Sequence, residues 1–174
     1  RQMCIRDSTI LDQPEVPCAV VRADNVTMTN LPNLFDPVFR TLPTALAGAE
    51  RSIVAPALAS YFRIGGMDSE HATTDMAVGF PIDAPLQHDL PLGGTGLTAT
   101  TWTTPGGRVA ALSHFGPYDT LQQSWQQLLA TLAERGLSPT PPFWEVYVTA
   151  PEPSMDPATL RTDLFVSLLH TRRG

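Results

Sequence analysis

One arrangement of short elements runs through this chain twice, and that repetition constrains the fold more than any single motif. Residues 16–21, bounded by Pro14 and Pro17, form a short β-branched stretch, the pattern of a strand. Leu31, Leu34, Phe35, Val38, Phe39, Leu42 and Leu46 then recur at helical spacing. Pro37 can sit near the helix start, whereas Pro43 is expected to kink or divide the segment. Residues 57–64, ending at Gly65-Gly66, and residues 74–80, closed by Pro81, read as two more strands. Beyond a stretch rich in Pro, Gly and Asp the order begins again, with strands over 97–103 and 108–114 on either side of the turn Thr104-Pro105-Gly106-Gly107. A helix follows, capped by Asp119 or Thr120, with Leu121, Trp125, Leu128, Leu129 and Leu132 as its buried stripe and Gly136 as its stop. Residues 143–149 and 160–169 supply the last two strands.

The residues agree with the count. Ala55-Pro56-Ala57-Leu58-Ala59-Ser60-Tyr61-Phe62 sets beside Thr140-Pro141-Pro142-Phe143-Trp144-Glu145-Val146-Tyr147, proline on proline and aromatic on aromatic. Asp75-Met76-Ala77-Val78 pairs likewise with Asp163-Leu164-Phe165-Val166. An offset of roughly 85–90 residues is too long for a solenoid and suits an internal duplication. The expected fold class is α+β: duplicated strand–helix–strand–strand units forming a pseudo-two-fold antiparallel sheet with a central ligand cleft. Repeat one spans about 14–82 and repeat two about 96–170, within a single domain over 9–174. Residues 1–8 show no periodicity; they are read as a non-native or disordered leader, and Cys4 is set aside with them.

Composition narrows the function. With 43% hydrophobic and 16% charged residues the chain can bury a core and is not a disordered segment. A net charge of −6 lacks the basic stripe that neutralises phosphates, so direct nucleic-acid binding is not expected. No apolar run approaches the ~20 residues that cross a bilayer, and no secretory signal opens the sequence. Cys4 and Cys18 make neither a disulfide framework nor a metal spacing, so a reducing cytoplasm is the default. His71, His88, His114 and His170 are scattered without a second ligand at metal spacing, so no metal is expected. Gly93-Gly94-Thr95-Gly96 neither opens a helix nor carries a P-loop lysine and is read as a linker turn. Ser113 and His114 are strand neighbours facing opposite ways, so they form no nucleophile–base pair. His114 is read as a turn histidine that bonds backbone rather than as a base.

The polar centre of the reading is Glu145. Strand periodicity puts Phe143, Glu145 and Tyr147 on one face and Trp144, Val146 and Val148 on the other. The all-apolar face is expected to lie against the helix, leaving the carboxylate between two rings on the opposite face. The duplicated strand then contributes Leu58, Ser60 and Phe62 to the same cleft. A lipophilic cation would compensate the buried charge and stack on the rings. A plain alternative is a solvated glutamate, or one paired with Arg63, Arg108 or Arg161.

Four segments resemble the GyrI-like family: His114-Phe115-Gly116-Pro117-Tyr118-Asp119, Phe143-Trp144-Glu145-Val146-Tyr147 with the following Pro151, Leu160-Arg161-Thr162-Asp163-Leu164, and Leu34-Phe35-Asp36-Pro37-Val38-Phe39. That family is a small-molecule-binding fold also appended to AraC-type and other multidrug-responsive regulators. The resemblance spans about residues 14–170 and implies the duplicated fold derived above, with a cleft glutamate at the position of Glu145. Fewer than about 15 residues precede the first strand, so a stand-alone member without a helix-turn-helix region is expected. Together with strand alternation, the expected ligand set is Glu145, Tyr147, Phe143, Phe62, Ser60 and Leu58, with Trp102 and Tyr118 lining either the cleft or the core. No cofactor is expected; related duplicated folds bind haem, but nothing here marks an axial ligand.

Three functions stay open at this point. The first is binding of amphipathic, cationic or aromatic small molecules for sequestration or sensing. The second, suggested by stand-alone relatives, is hydrolysis of reactive cyclopropane-bearing compounds, with Glu145 handling water and Tyr147 the oxyanion. The third is a protein partner, as in gyrase-inhibiting relatives, although the low charged fraction suits DNA mimicry poorly. The oligomeric state is not legible in the sequence.

Overall fold

The computed structural model describes residues 8–63, 73–150 and 153–169. The leader expected over residues 1–8 lies, apart from Ser8, outside them, as do His71, His170 and Pro151. Among these residues nine strands and two α-helices follow in the order β1 (Thr9–Gln13), β2 (Pro17–Thr27), α1 (Leu31–Gly48), β3 (Leu58–Tyr61), β4 (Thr73–Pro81), β5 (Leu90–Leu92), β6 (Leu97–Thr103), β7 (Gly107–Phe115), α2 (Leu121–Glu134), β8 (Pro139–Tyr147) and β9 (Arg161–Leu168). They build one antiparallel sheet ordered β1-β7-β9-β8-β3-β4-β2-β6-β5. The two halves, β2-α1-β3-β4 and β7-α2-β8-β9, meet where β3 pairs with β8, Leu58 opposite Val146 and Tyr61 opposite Phe143.

Two elements escaped the sequence reading. The five-residue β1 lies outside both repeats, and β5 lies in the proline-rich connection before the Gly93–Gly96 turn. Both complete the sheet edges. β1 pairs with β7 from Thr9–Ala111 to Gln13–Gly107, and β2 pairs with β6 from Pro17–Thr103 onward in the same register. Between these ladders the Thr104 N–H donates to the Val16 carbonyl at 2.9 Å and the Val16 N–H to Thr104 Oγ1 at 3.0 Å. The strand leading into each half is therefore paired with the first strand of the other half. Residues 14–16 span at most about 14 Å, yet β1 and β2 stand six strands apart in the order, about 29 Å if the sheet were flat. The sheet has to curl back on itself.

Curling explains three separate cores. On one face α1 buries Leu34, Val38, Leu42 and Leu46 against Ala19, Val21, Ala59, Met76 and Val78. On that same face α2 buries Leu128 and Leu132 against Ala110, Phe143, Leu164 and Val166. The face without helices closes over Cys18, Val20, Leu58 and Ala77, with Phe62, Trp102 and Val146 packed around them. Burial there pushes the Cys18 thiol up to about 12.

The helices follow their stripes, with two departures. α1 continues through Pro37 and Pro43 as one helix rather than dividing, and the Thr41 hydroxyl donates to the Pro37 carbonyl at 2.6 Å. α2 has no side-chain cap at Thr120; a 3-10 turn, Tyr118–Thr120, leads into it instead. Its end is the one expected: Gly136 takes φ +67°, and the Leu137 N–H closes on the Leu132 carbonyl at 2.9 Å. No helix among the described residues is long and apolar enough to cross a membrane.

Candidate functional site

The seam between β3 and β8 lies under the space between α1 and α2, and its helix-side residues come from both halves. Register places Ala59 opposite Glu145 and Tyr61 opposite Phe143, so these four share one face. Phe143 packs against the α2 stripe, while Tyr147 and Tyr61 reach the α1 cluster. Glu145 therefore faces the helices. This reverses the expectation that the all-apolar face would lie against them. Trp144 and Val146 face the other way; Val146 borders the third core, and Trp144 stacks on Phe165 with rings 5.5 Å apart. The apolar side needed no helix because the curled sheet covers it.

The same parity corrects half of the implied ligand set. Leu58 and Ser60 pair with Val146 and Trp144 and so lie on the face away from Glu145. Phe62 and Trp102 lie with them, edge to face at 5.6 Å, with the Arg22 guanidinium 4.4 Å over the Phe62 ring. Glu145, Tyr147, Phe143 and Tyr118 are brought together. The cause is a one-residue slip: matching Pro56 with Pro141 aligned Ser60 with Glu145, and in strands an odd slip exchanges the faces. The alignment of Asp75 with Asp163 keeps parity, since Met76 and Leu164 both face helices.

Glu145 is 6% exposed. Its Oε1 accepts from the Trp125 indole N–H at 2.7 Å, and its Oε2 accepts from the Tyr147 hydroxyl at 2.9 Å. Burial pushes its carboxyl above the usual glutamate range, and the two hydrogen bonds pull part of the way back. Among the described residues no basic side chain pairs with it. Among the described residues the ion pairs are Arg63–Asp75 at 3.3 Å and Arg161–Asp163 at 3.0 Å, both away from Glu145. The surrounding hydroxyls respond to the same environment. Tyr147 and Tyr61 are pushed well above the ordinary tyrosine value by burial and then by Glu145's charge, so they stay protonated as donors.

Aromatic rings wall the carboxylate. Tyr147 meets Phe35 and Phe39 at 6.3 Å each and Tyr118 at 5.9 Å; Trp125 meets Phe143 at 5.8 Å. Tyr118, 41% exposed, forms the rim. Sequence reasoning assigned Phe35, Phe39 and Trp125 to helix cores and passed over Tyr61. Correct parity on β3 would have found Tyr61. For Trp125 the signal was an N–H-bearing ring in an otherwise aliphatic stripe, since a buried indole usually finds an acceptor.

Residues 7–169 match the GyrI-like small molecule binding domain. The chain belongs to this family. No curated protein matches its sequence. Among solved structures, the EcmrR C-terminal domain superposes with a TM-score of 0.73 at 15% identity, covering 94% of this chain and 98% of that one. SAV2435 bound to tetraphenylphosphonium gives 0.63 at 9% identity, with 93% of each chain covered. A hydrolase encoded by lin2189 from Listeria innocua gives 0.60 at 11% identity, covering 94% and 92%. These likenesses establish the fold, and the family makes this a small-molecule-binding domain with its GyrI-like sheet curled as described.

Proposed function

We propose that this GyrI-like domain binds amphipathic cations, with Glu145 as counter-ion and the rings of Tyr147, Tyr118, Phe35, Phe39 and Trp125 as walls. One observation carries the reading: a buried carboxylate held by two hydrogen bonds, without a basic partner among the described residues. Such a group is costly in the empty protein, because two hydrogen bonds replace only part of its hydration. A lipophilic cation removes that cost and gains cation–π attraction from the surrounding rings. Tetraphenylphosphonium bound to SAV2435 shows one such molecule on this fold. Sequestration and sensing both use this chemistry; the likeness to EcmrR, which is solved in a complex with DNA, favours sensing.

Titration with rhodamine 6G or tetraphenylphosphonium tests the reading. Wild type should bind, and Glu145→Gln should weaken binding at least tenfold, ~1.4 kcal/mol or more. Equal affinity in the variant would remove Glu145 from the role of counter-ion.

A hydrolytic reading is favoured by one contact, the Tyr147 hydroxyl on Glu145 Oε2. It couples a carboxylate of raised proton affinity to a hydroxyl donor on one substrate-facing edge, the elements of base and oxyanion support. Turnover of a cyclopropane electrophile by wild type, absent in Glu145→Gln, is the expected result. Stoichiometric binding without product leaves the binder alone.

A further inference from the structure

His114 is the best-connected buried polar residue that the binding reading leaves unused. It is 4% exposed, at the end of β7, in the His114–Asp119 segment that carries part of the family resemblance. Its register partner on β9 is Thr162, which in turn stands opposite Tyr147 on β8. The three side chains thus form one row on the helix-facing side.

Each imidazole nitrogen reaches a different element. Nε2 lies 3.2 Å from the Pro117 carbonyl and 3.2 Å from the Thr120 hydroxyl, which itself donates to that carbonyl at 2.8 Å. A carbonyl can only accept, so Nε2 carries the proton in the neutral ring. Nδ1 then accepts from the Ser124 hydroxyl at 2.6 Å. The first branch grips the turn that presents Tyr118, the rim ring against Tyr147. The second grips the first turn of α2 at the residue before Trp125, whose indole holds Glu145. Gly116, at φ +134°, lets the chain double back so that one ring touches both branches.

We infer that His114 is the positioning residue of the Glu145 site: one buried imidazole fixes both the rim tyrosine and the indole that orients the carboxylate. The inference rests on the cation-binding reading for its consequence, not for its geometry. Removing either branch loosens one wall. Removing both lets Trp125 and Tyr118 drift, and the carboxylate loses the orientation in which it meets a ligand.

The test uses the full chain labelled with 15N, which has three tryptophan indole N–H resonances, with Trp125 assigned through Trp125→Phe. A short indole–carboxylate bond shifts that resonance downfield whether or not ligand is present. Ser124→Ala, which removes one hydroxyl, should move the Trp125 resonance and leave those of Trp102 and Trp144 in place. It should weaken tetraphenylphosphonium binding several-fold, and His114→Ala by up to about tenfold, the scale of one or two hydrogen bonds. His114→Asn keeps a polar atom where Nδ1 stood and should restore the resonance. His114→Gln reaches only the Pro117 branch and should not. An unmoved Trp125 resonance in Ser124→Ala, or equal movement of all three, overturns the inference. If His114→Ala does not fold, Ser124→Ala decides alone. Absence of cation binding by wild type overturns the binding reading, and the resonances still judge His114.

Discussion

The two halves share a plan and differ at the seam. On the helix side β3 supplies Ala59 and Tyr61, where β8 supplies Phe143, Glu145 and Tyr147. α1 faces the seam with Phe35 and Phe39, which have no polar atom, whereas α2 supplies the Trp125 N–H and the Ser124 hydroxyl. The first half thus provides two apolar rings and the Tyr61 hydroxyl, and the second the charge with the two groups that hydrogen-bond it. A duplication delivers two scaffolds, and one of them is free to become chemistry because the other keeps the shape. The buried carboxylate sits in the half that can hydrogen-bond it, so symmetry of fold and asymmetry of site are the same arrangement.

The sharpest way to break the comparison is at matched backbone positions. Gly79 on β4 lies so close to β2 that a Cβ there would run into the Ala19 carbonyl, which is backbone and cannot turn away. The Asp75–Asp163 alignment matches Gly79 with Ser167 on β9, a position that accepts a side chain. Gly79→Ala should cost about 3 kcal/mol or more by denaturant unfolding. Ser167→Ala, which removes a buried hydroxyl without a partner among the described residues, should be near neutral or slightly stabilising. Similar costs at both positions would mean that the halves do not correspond as aligned.

A middle-sized effect comes from the charge itself. Glu145's folded-state proton affinity is raised by burial from the ordinary value of 4.5. The native protein therefore binds more protons than the unfolded chain above that value, and stability falls as pH rises until Glu145 has ionised in the fold. It is flat in this respect at higher pH. Glu145→Gln should remove that slope and, at neutral pH, stabilise the ligand-free protein by about 1 kcal/mol. Unfolding curves for both proteins across the acidic to neutral range give the difference directly. Cation affinity should run the other way, rising with pH as the anion forms.

The smallest effect sharpens the comparison by showing where the halves are alike. Arg63–Asp75 and Arg161–Asp163 are ion pairs on aligned aspartates. The Asn25 N–H and then Arg63 hold Asp75 below the usual carboxylate range. Both arginines are well exposed, so Arg63→Ala and Arg161→Ala should each leave the thermal midpoint nearly unchanged at physiological salt. A large drop for one alone would show that it supports its half beyond the surface pair.

Much of this was legible in the residues. The repeat, both helical stripes, the Gly136 stop and the pairing of Asp75 with Asp163 rest on periodicity, which survives without tertiary context. Face assignment did not survive. Its premise was that an apolar strand face must seek a helix, but Trp144 and Val146 lie on the side that the curled sheet covers. The curl depends on β1, whose Thr-Ile-Leu-Asp-Gln is too short and polar to announce itself. The proline match also misled, because the register of β8 against β9 shifts between Thr140 and Phe143, across Pro141 and Pro142. Prolines there mark an irregularity in the ladder and not a fixed point for alignment.

The exchanged leading strands carry a consequence of their own. Each half lends its first arm to its neighbour, as protomers of a swapped homodimer do, except that one covalent chain holds both. The tether keeps the local concentration of each arm at its partner permanently high, in the millimolar range or above for a short link. Cleaving the chain between residues 92 and 97 should therefore yield two fragments that recognise each other rather than two small proteins. The Glu145 site is in that sense an intersubunit site folded into one covalent chain.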